Sequence, residues 1–505
     1  MGAPGFGEID EVGRKYGGTA DVGACRQHNS SSLTIKPAAG AGKQGGRQFY
    51  LPRGSGGHQE GGAPVLIDIS RETLARLRNP DLAKYAGMYL RIYEDFLHQV
   101  RSSGIAVAQE SCLEETRRRI EVLQRQGVVV RNDAKSLYIN RISPACLACQ
   151  KGVGSLTFFI SLQCHRQCFF CFNPNQENYD YYSRNKRDCL RELEYLQKTG
   201  QEIKHLALSG GEPLLHPAES LDFFRAAREK FPGVYTRLYT AGDLAGKEIL
   251  AELQRAGLDE IRFSIRLHDP EGMRRRTYEH IALAREYIPR VMVEMPVLPG
   301  TVKPMQKILL ELDRLGIFGI NLLEFCFPFN NVAIYNERGY KIKNPPYRVL
   351  YNYWYGGGLP VAGSELECLD LMAFALEKGL QLGVHYCSLE NKNTGQIYQQ
   401  NYGQEVPATL YFSPRDYFFK SAKVFGDDIP RVLEVFKKIT YDRYAINKQY
   451  RYLEFHISKV RELAGLDIEV GISTSVMEKR RDGSYLRELK VDLTRPAIFN
   501  PETDV

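Results

Sequence analysis

Two apolar runs of strand length, Ser155-Leu-Thr-Phe-Phe-Ile-Ser-Leu162 and Leu206-Ala-Leu-Ser209, each break off directly into residues of special chemistry. Short apolar runs bounded in this way are the pattern of buried strands in a parallel sheet. Parallel α/β sheets and barrels place their chemistry at the C-terminal ends of strands. The first run delivers Cys164, Cys168 and Cys171 in the spacing C-x3-C-x2-C, and the second ends in Gly210-Gly-Glu-Pro213. Iron–sulfur clusters usually take four cysteine ligands, so three leave one iron open for something else. A structural zinc site wants four ligands and leaves the Gly-Gly-Glu-Pro turn unexplained. Glycines let a backbone approach a ligand closely, and Glu212 can accept from an ammonium group.

From Ser155 onward strand and helix patterns alternate. The expected strands are 155–162, 204–209, 234–240, 260–266, 291–297 and 318–326; the expected helices are 180–199, 217–230, 245–257, 272–287 and 304–315. Alternating units of this kind predict a parallel sheet with crossover helices. Before them, residues 1–64 form a Gly-rich tail without sustained periodicity, in which Cys25 reads as inert. Residues 65–150 read as an N-terminal accessory cap: helices around Leu74–Tyr89 and Leu113–Gln126, then short strands at 128–130 and 136–139. Residues 151–330 are the core and 331–505 an α+β extension. In the extension, 365–379 and 428–464 read as helical, and 467–477 with 485–493 as a hairpin around Arg481-Asp-Gly483.

The cysteine triad, the aromatic Phe170 before its last member, and the Gly-Gly-Glu-Pro turn together resemble the radical S-adenosylmethionine (radical SAM) superfamily. The resemblance implies an α/β fold of a partial (β/α)6 parallel barrel. It implies a 4Fe–4S cluster on Cys164, Cys168 and Cys171, whose open iron chelates S-adenosylmethionine and cleaves it reductively to a 5′-deoxyadenosyl radical. Gly210, Gly211, Glu212 and Pro213 match the motif that holds the SAM amino group, and Phe170 the position near the adenine. Tyr239, Thr240, Ser264, Arg266 and Glu294, at the ends of strands three to five, are candidates for the ribose and carboxylate, Arg266 by a bidentate pair. Thr236-Arg-Leu-Tyr-Thr240, Ala256–Phe263 and His385-Tyr-Cys-Ser388 resemble a group related to pyruvate formate-lyase activating enzyme, over about residues 140–400.

Eleven cysteines, no charged-then-apolar N-terminal signal and no run near the roughly 18 apolar residues of a membrane span read as a reduced, cytoplasmic protein rather than a disulfide framework. A net charge of +7 is small for 505 residues and does not argue for a nucleic-acid partner. Cys146-Leu-Ala-Cys149 is a C-x2-C half-site. With Cys387, and His385, Cys326 or Cys368 completing it, it is expected to hold a second metal or cluster; the alternative is free core thiols. Cys112 and Cys189 read as packing residues.

The expected function is therefore a radical SAM enzyme, reduced by a ferredoxin or flavodoxin-like donor, that abstracts hydrogen from a peptide or protein. A small metabolite or RNA is the alternative substrate. The competing class is a non-catalytic metal-binding or electron-transfer protein, which would fill Cys146 and Cys149 and leave the triad empty. The residue that handles the substrate is not identifiable from sequence.

Overall fold

The strands, in chain order, are β1 (Val129–Arg131), β2 (Ser136–Ile139), β3 (Ser155–Phe159), β4 (His205–Ser209), β5 (Tyr235–Thr240), β6 (Glu260–Phe263), β7 (Arg290–Val297), β8 (Gly319–Glu324), the two-residue β9 (Cys326–Phe327) and β10 (Leu359–Pro360), β11 (Gly383–Cys387), the short β12 (Tyr411–Phe412), β13 (Phe419–Phe425), β14 (Tyr444–Asn447), β15 (Tyr452–Phe455), β16 (Val470–Arg480) and β17 (Gly483–Thr494). The structure, a computed structural model, describes residues 65–351, 358–480 and 483–505; the Gly-rich tail and Cys25 lie outside them.

Nine strands make one sheet in the order β1-β2-β11-β8-β7-β6-β5-β4-β3. Strands β3 to β8 run parallel, and β11 continues the sheet parallel to β8. The expected six-strand parallel core is present, and β11 adds a seventh strand to it. β2 then pairs antiparallel with β11, and β1 antiparallel with β2. The path is open, with β1 and β3 as its edges.

Side chains alternate across each strand. On β6, Ile261 and Phe263 go into the apolar layer while Glu260 and Arg262 turn inward. Helices Pro217–Lys230, Lys247–Arg255, Glu271–Ala284 and Val302–Leu315 cover the outer face. Phe223, Leu250, Ile281 and Leu309 from these helices are fully buried, as are Leu206, Leu238, Ile261 and Ile320 from the sheet. At about 25 cal/mol per Å² of apolar area removed from water, this layer is the main stabilising contact of the core.

Three expected helices differ from the structure. The run around Leu74–Tyr89 is broken into Arg71–Arg76 and Pro80–Ser102, with Asn79 capping the second. The run 180–199 is split into Tyr179–Tyr182 and Cys189–Lys198, because the chain between them is held to the end of β3: the Leu162 amide donates to the Tyr182 carbonyl and the Arg187 amide to the Ile160 carbonyl. Asp188 then restarts the helix by accepting from the Arg191 amide. The run 428–464 is α-helical only over Ile429–Lys438; beyond it β14 and β15 form a hairpin that pairs onto β13, followed by short 3-10 turns at Ile457–Lys459 and Arg461–Leu463. Short apolar runs suit either element, and the open edge of β13 decides for strand. The expected C-terminal hairpin is β16 and β17, which complete the second sheet, β14-β15-β13-β16-β17, with β12 on β13.

Residues 65–150 divide their contacts. Helix Leu113–Arg125 packs beside Ser364–Glu377 on the core, where the Thr116 hydroxyl donates to Glu365. Helix Pro80–Ser102 lies on the second sheet instead. There the hydroxyls of Tyr85 and Tyr89 donate to Glu488 at 2.9 and 2.6 Å, and the buried Lys423 ammonium pairs with the same carboxylate. Among the described residues no helix is long and apolar enough to cross a membrane.

Candidate functional site

The cysteine loop that leaves β3 is held at both ends by the turn that leaves β4. The Gly211 amide donates to the Ser161 carbonyl at 3.2 Å and the Glu212 amide to the Gln163 carbonyl at 2.8 Å. At the far end of the loop, Asn173 Nδ2 donates to the Gly210 carbonyl at 2.8 Å. This closeness is what the glycines supply. Gly210 has φ +116°, and a Cβ on Gly211 would sit 1.9 Å from the Gln163 carbonyl oxygen. Gly211→Ala is therefore expected to separate turn from loop. Iron and sulfide content after anaerobic reconstitution should fall severalfold while far-UV circular dichroism stays unchanged; full iron content in this variant would contradict the role given to the contact.

Cys164, Cys168 and Cys171 lie close enough that their charges act on one another. Burial pushes all three thiols up, Cys168 to about 11. Metal ligation needs the thiolate, so this donor set fits a cationic iron centre that supplies the missing charge. Among the described residues no three Cys, His, Asp or Glu side chains converge on one ion-sized point. Cluster thiolates bind separate irons and stand wider apart than the ligands of a single ion.

Glu212 is buried and already engaged. It accepts from the Leu214 amide at 3.0 Å, the Thr240 hydroxyl at 2.8 Å and the Ala241 amide at 2.5 Å. A carboxylate has about four lone-pair sites, so room for one further donor remains. Burial holds its carboxyl above the ordinary range in spite of these donors. Thr240 is thus a support of Glu212 rather than a free group, and Pro213 is buried. The Ser264 hydroxyl donates to the Glu294 carbonyl, and Arg266 donates to Asp269 at 3.0 Å and to the Ala241 carbonyl. Phe170 meets Phe169, His268 and Phe325 edge-on.

Beside Cys168 a recess of about 280 Å³ is lined by His165, Arg166, Gln167, Arg266, His268 and Asp269. Sequence reading passed over Arg166. Its side chain is 8% exposed; Nη2 lies 2.8 Å from Asp243 Oδ2, and Nε carries no hydrogen bond. A buried donor left unfilled next to the cysteine loop suits a carboxylate. The signal was present, since Arg166 stands inside the cysteine spacing.

The inner face of the sheet, its lumen side, carries a buried polar network. Arg262 organises it, donating to Glu260 at 2.6 Å, Glu294 at 2.5 Å, the Tyr239 hydroxyl at 3.3 Å, Ser143 at 3.1 Å and Cys146 Sγ at 3.3 Å. Asn321 Nδ2 adds a 2.6 Å bond to Glu294. Burial alone would raise the Cys146 thiol, but Arg262 and His385 bring it down to about 6. Cys146 and Cys149 share the short helix Pro144–Cys149, and the charges of both act on Cys387 at the end of β11.

The other residues expected to complete a second metal site are otherwise placed. Both ring nitrogens of His385 are taken, by Ser136 and Asn321 at 2.9 Å each. Cys368 is fully buried in the apolar core beside Glu324 and Glu365. Cys326 stands nearer Cys171 and Lys392. Lys392, which sequence reading also missed, acts on Cys387, Cys326 and Glu294 from the first turn of helix Leu389–Asn401, just past β11. Cys112 precedes helix Leu113–Arg125, and Cys189 packs in the core.

Residues 159–311 match the model of the radical SAM superfamily. A protein of Methanocaldococcus jannaschii named as a glycyl-radical enzyme activating enzyme is 27% identical over 211 residues, 41% of this chain and 56% of that protein. A protein of Thermococcus kodakarensis named as a GTP 3′,8-cyclase is 27% identical over 158 residues, 29% of this chain and 49% of that protein. The chain thus spans about half the length of the curated relatives it matches. Among solved structures, Streptococcus suis SuiB bound to its precursor peptide SuiA is 12% identical with a TM-score of 0.35, over 66% of this chain and 68% of that one. The match over residues 159–311 takes in both the cysteine loop and the Gly-Gly-Glu-Pro turn, so this chain carries a radical SAM domain.

Proposed function

We propose that the protein is a radical SAM enzyme whose substrate is a peptide or protein. The observation that carries the reading is the hydrogen-bonded union of the cysteine loop with the turn Gly210–Pro213 at the C-terminal end of the parallel sheet. When bound, the cluster and S-adenosylmethionine supply a 5′-deoxyadenosyl radical for hydrogen abstraction. The chain supplies binding, orientation and shielding. Cys164, Cys168 and Cys171 hold the cluster, the turn 210–213 takes the amino group, and Arg166 and Arg266 face the carboxylate. Phe170 lies against the adenine, and Ser264 borders the ribose. The lumen behind them, with Tyr239, Glu294 and Lys392, receives the reacting part of the substrate. A ferredoxin or flavodoxin-like protein is the reductant.

The peptide or protein substrate has the name of the M. jannaschii relative in its support. A second reading, a nucleotide or other small metabolite, is favoured by the polar lumen and by the name of the T. kodakarensis relative. The test is anaerobic reconstitution with iron and sulfide, followed by dithionite and S-adenosylmethionine. Formation of 5′-deoxyadenosine is expected, with a 4Fe–4S absorption that changes on adding the cofactor. Its absence from a fully loaded protein would sink the proposal and favour a non-catalytic metalloprotein. Metal analysis of the same sample also decides the lumen thiols: metal beyond the cluster that is lost in Cys149→Ala would locate a second site there.

A further inference from the structure

A second cavity lies away from the cysteine loop, between the edge of the main sheet and the second sheet. Its volume is about 170 Å³, some ten times the roughly 10–15 Å³ that one water needs. The turn before β2 bounds one side, helix Leu389–Asn401 another, and β13, β16 and β17 the third. Neither the cofactor-binding residues nor the polar lumen takes part.

Five cations line this cavity, and four are committed. Arg348 pairs with Asp133 and Glu390, Arg415 with Asp133 at 2.6 Å, Lys420 with Asp416 at 2.7 Å, and Lys490 with Asp492 at 2.8 Å. The fifth, Lys135, is 7% exposed and lines the cavity, yet no hydrogen bond or ion pair holds its ammonium among the described residues. Asp133, Asp416 and Glu390 act on it only from a distance, and Arg348 opposes them. A buried ammonium without a partner is costly unless something pairs with it. Burial, with Arg348 adding to it, pushes this ammonium below its ordinary range, the direction an incoming anion would reverse.

A second polar atom in the wall is also unpartnered: Asn393 Oδ1, an acceptor with no donor. Asp504, a further carboxylate in the wall, already takes hydrogen bonds from the Asn500 amide and the Thr503 hydroxyl. Leu66, Val349, Ile397, Phe418 and Ile472 give the remaining wall an apolar surface. One uncommitted cation, one uncommitted acceptor and an apolar wall define a ligand class. We propose that this cavity binds a small amphipathic carboxylic acid, its carboxylate on Lys135, a neighbouring amino or hydroxyl group on Asn393 Oδ1, and its hydrocarbon body against the apolar wall.

The site shares walls with the lumen. On β2 the cavity takes the residue before the strand, Lys135, while the next residue, Ser136, bonds His385 in the lumen. On helix Leu389–Asn401 the cavity takes Asn393 and Thr394, while Lys392 acts on Glu294 and Cys387.

The test uses the full chain and needs no turnover, so its failure is separate from failure of the radical SAM reading. L-leucine, isovalerate and inorganic phosphate are titrated by isothermal calorimetry and thermal unfolding. The wild-type protein is expected to bind leucine more tightly than isovalerate, with a rise in Tm of about 2–3 °C near saturation, and to ignore phosphate. Lys135→Met should abolish both responses while leaving the ligand-free Tm unchanged or higher, since it removes an unpaired buried cation. Asn393→Ala should keep the isovalerate response and lose the preference for leucine. A Lys135→Met protein that fails to fold would contradict the unpaired state of the ammonium, and Asn393→Ala would still report on the ligand. No response of the wild type to either acid, an equal response in Lys135→Met, or a response to phosphate alone overturns the proposal.

Discussion

Cys168→Ala abolishes formation of 5′-deoxyadenosine from S-adenosylmethionine by more than about 100-fold, beyond the 10–100-fold typical when only a supporting residue of a metal site is lost. The argument is geometric. Cys168 stands between Cys164 and Cys171 in charge contact with both, and it borders the recess that holds Arg166 and Arg266. Without its sulfur the loop offers two donors, and a cluster held by two thiolates is not retained. Iron per chain should fall with activity, which separates loss of the cluster from loss of cofactor binding. Cys189→Ala is the control: that thiol is buried, donates to the Phe159 carbonyl and packs in the core, so its loss affects stability while the cluster assembles. Full turnover by Cys168→Ala would falsify the triad.

The largest effect on stability is expected at Arg262. Its guanidinium is 3% exposed and joins Glu260, Glu294, Tyr239, Ser143 and Cys146. Arg262→Met fills much of the same volume but leaves two carboxylates and a low-pKa thiol enclosed without their cation. Breaking a buried ion pair by removing one partner costs about 3–5 kcal/mol, which in a chain of 505 residues lowers Tm by about 3–5 °C. Differential scanning calorimetry on the anaerobic protein measures it. Arg275→Met removes an ion pair to Glu279 that is 79% and 63% exposed and should change stability by less than about 0.5 kcal/mol. A loss at Arg262 no larger than that would show that the network is solvated and that the lumen is wider than the contacts indicate.

The parts of this fold legible in the sequence are those where pattern and chemistry coincide. Six apolar runs alternate with helical ones, and two end in residues that make sense only at strand ends, so the parallel core could be read directly. β11 escaped because its sequence, Gly383-Val-His-Tyr-Cys387, alternates polar and apolar groups like an isolated half-buried strand. It joins the core only because the lumen beneath it is polar. The stretch after Lys438 was misread for a related reason, since its aromatic spacing fits a helix until β13 offers an edge to pair with.

Arg262 was hidden for a different reason. Glu260-Ile-Arg-Phe263 reads as an ordinary strand, and Cys146-x-x-Cys149 reads as a metal half-site. What joins them is a contact between residues 116 positions apart. The same spacing on a helix presents thiols on one face whether a metal or a guanidinium awaits them. His385 and Cys368 could not be told from ligands by type alone; their commitment to Ser136, Asn321 and the apolar core is a tertiary fact.

The pairing of β2 with β11 has a consequence for how the molecule can be divided. β11 seals the free edge of β8 and is itself sealed by a strand that precedes the whole parallel core in sequence, with Ser136 opposite Cys387 and Ile139 opposite Val384. A fragment cut to the cysteine loop, the turn and the six alternating units would keep every residue of the cofactor site. It would also present β8 as a bare row of amides and carbonyls, the template on which chains aggregate. The contact that prevents this spans roughly half the protein, so it forms late and at high loop-closure cost. In assembly the segments flanking the core are therefore one element, and the parallel core between them is protected only after both have arrived.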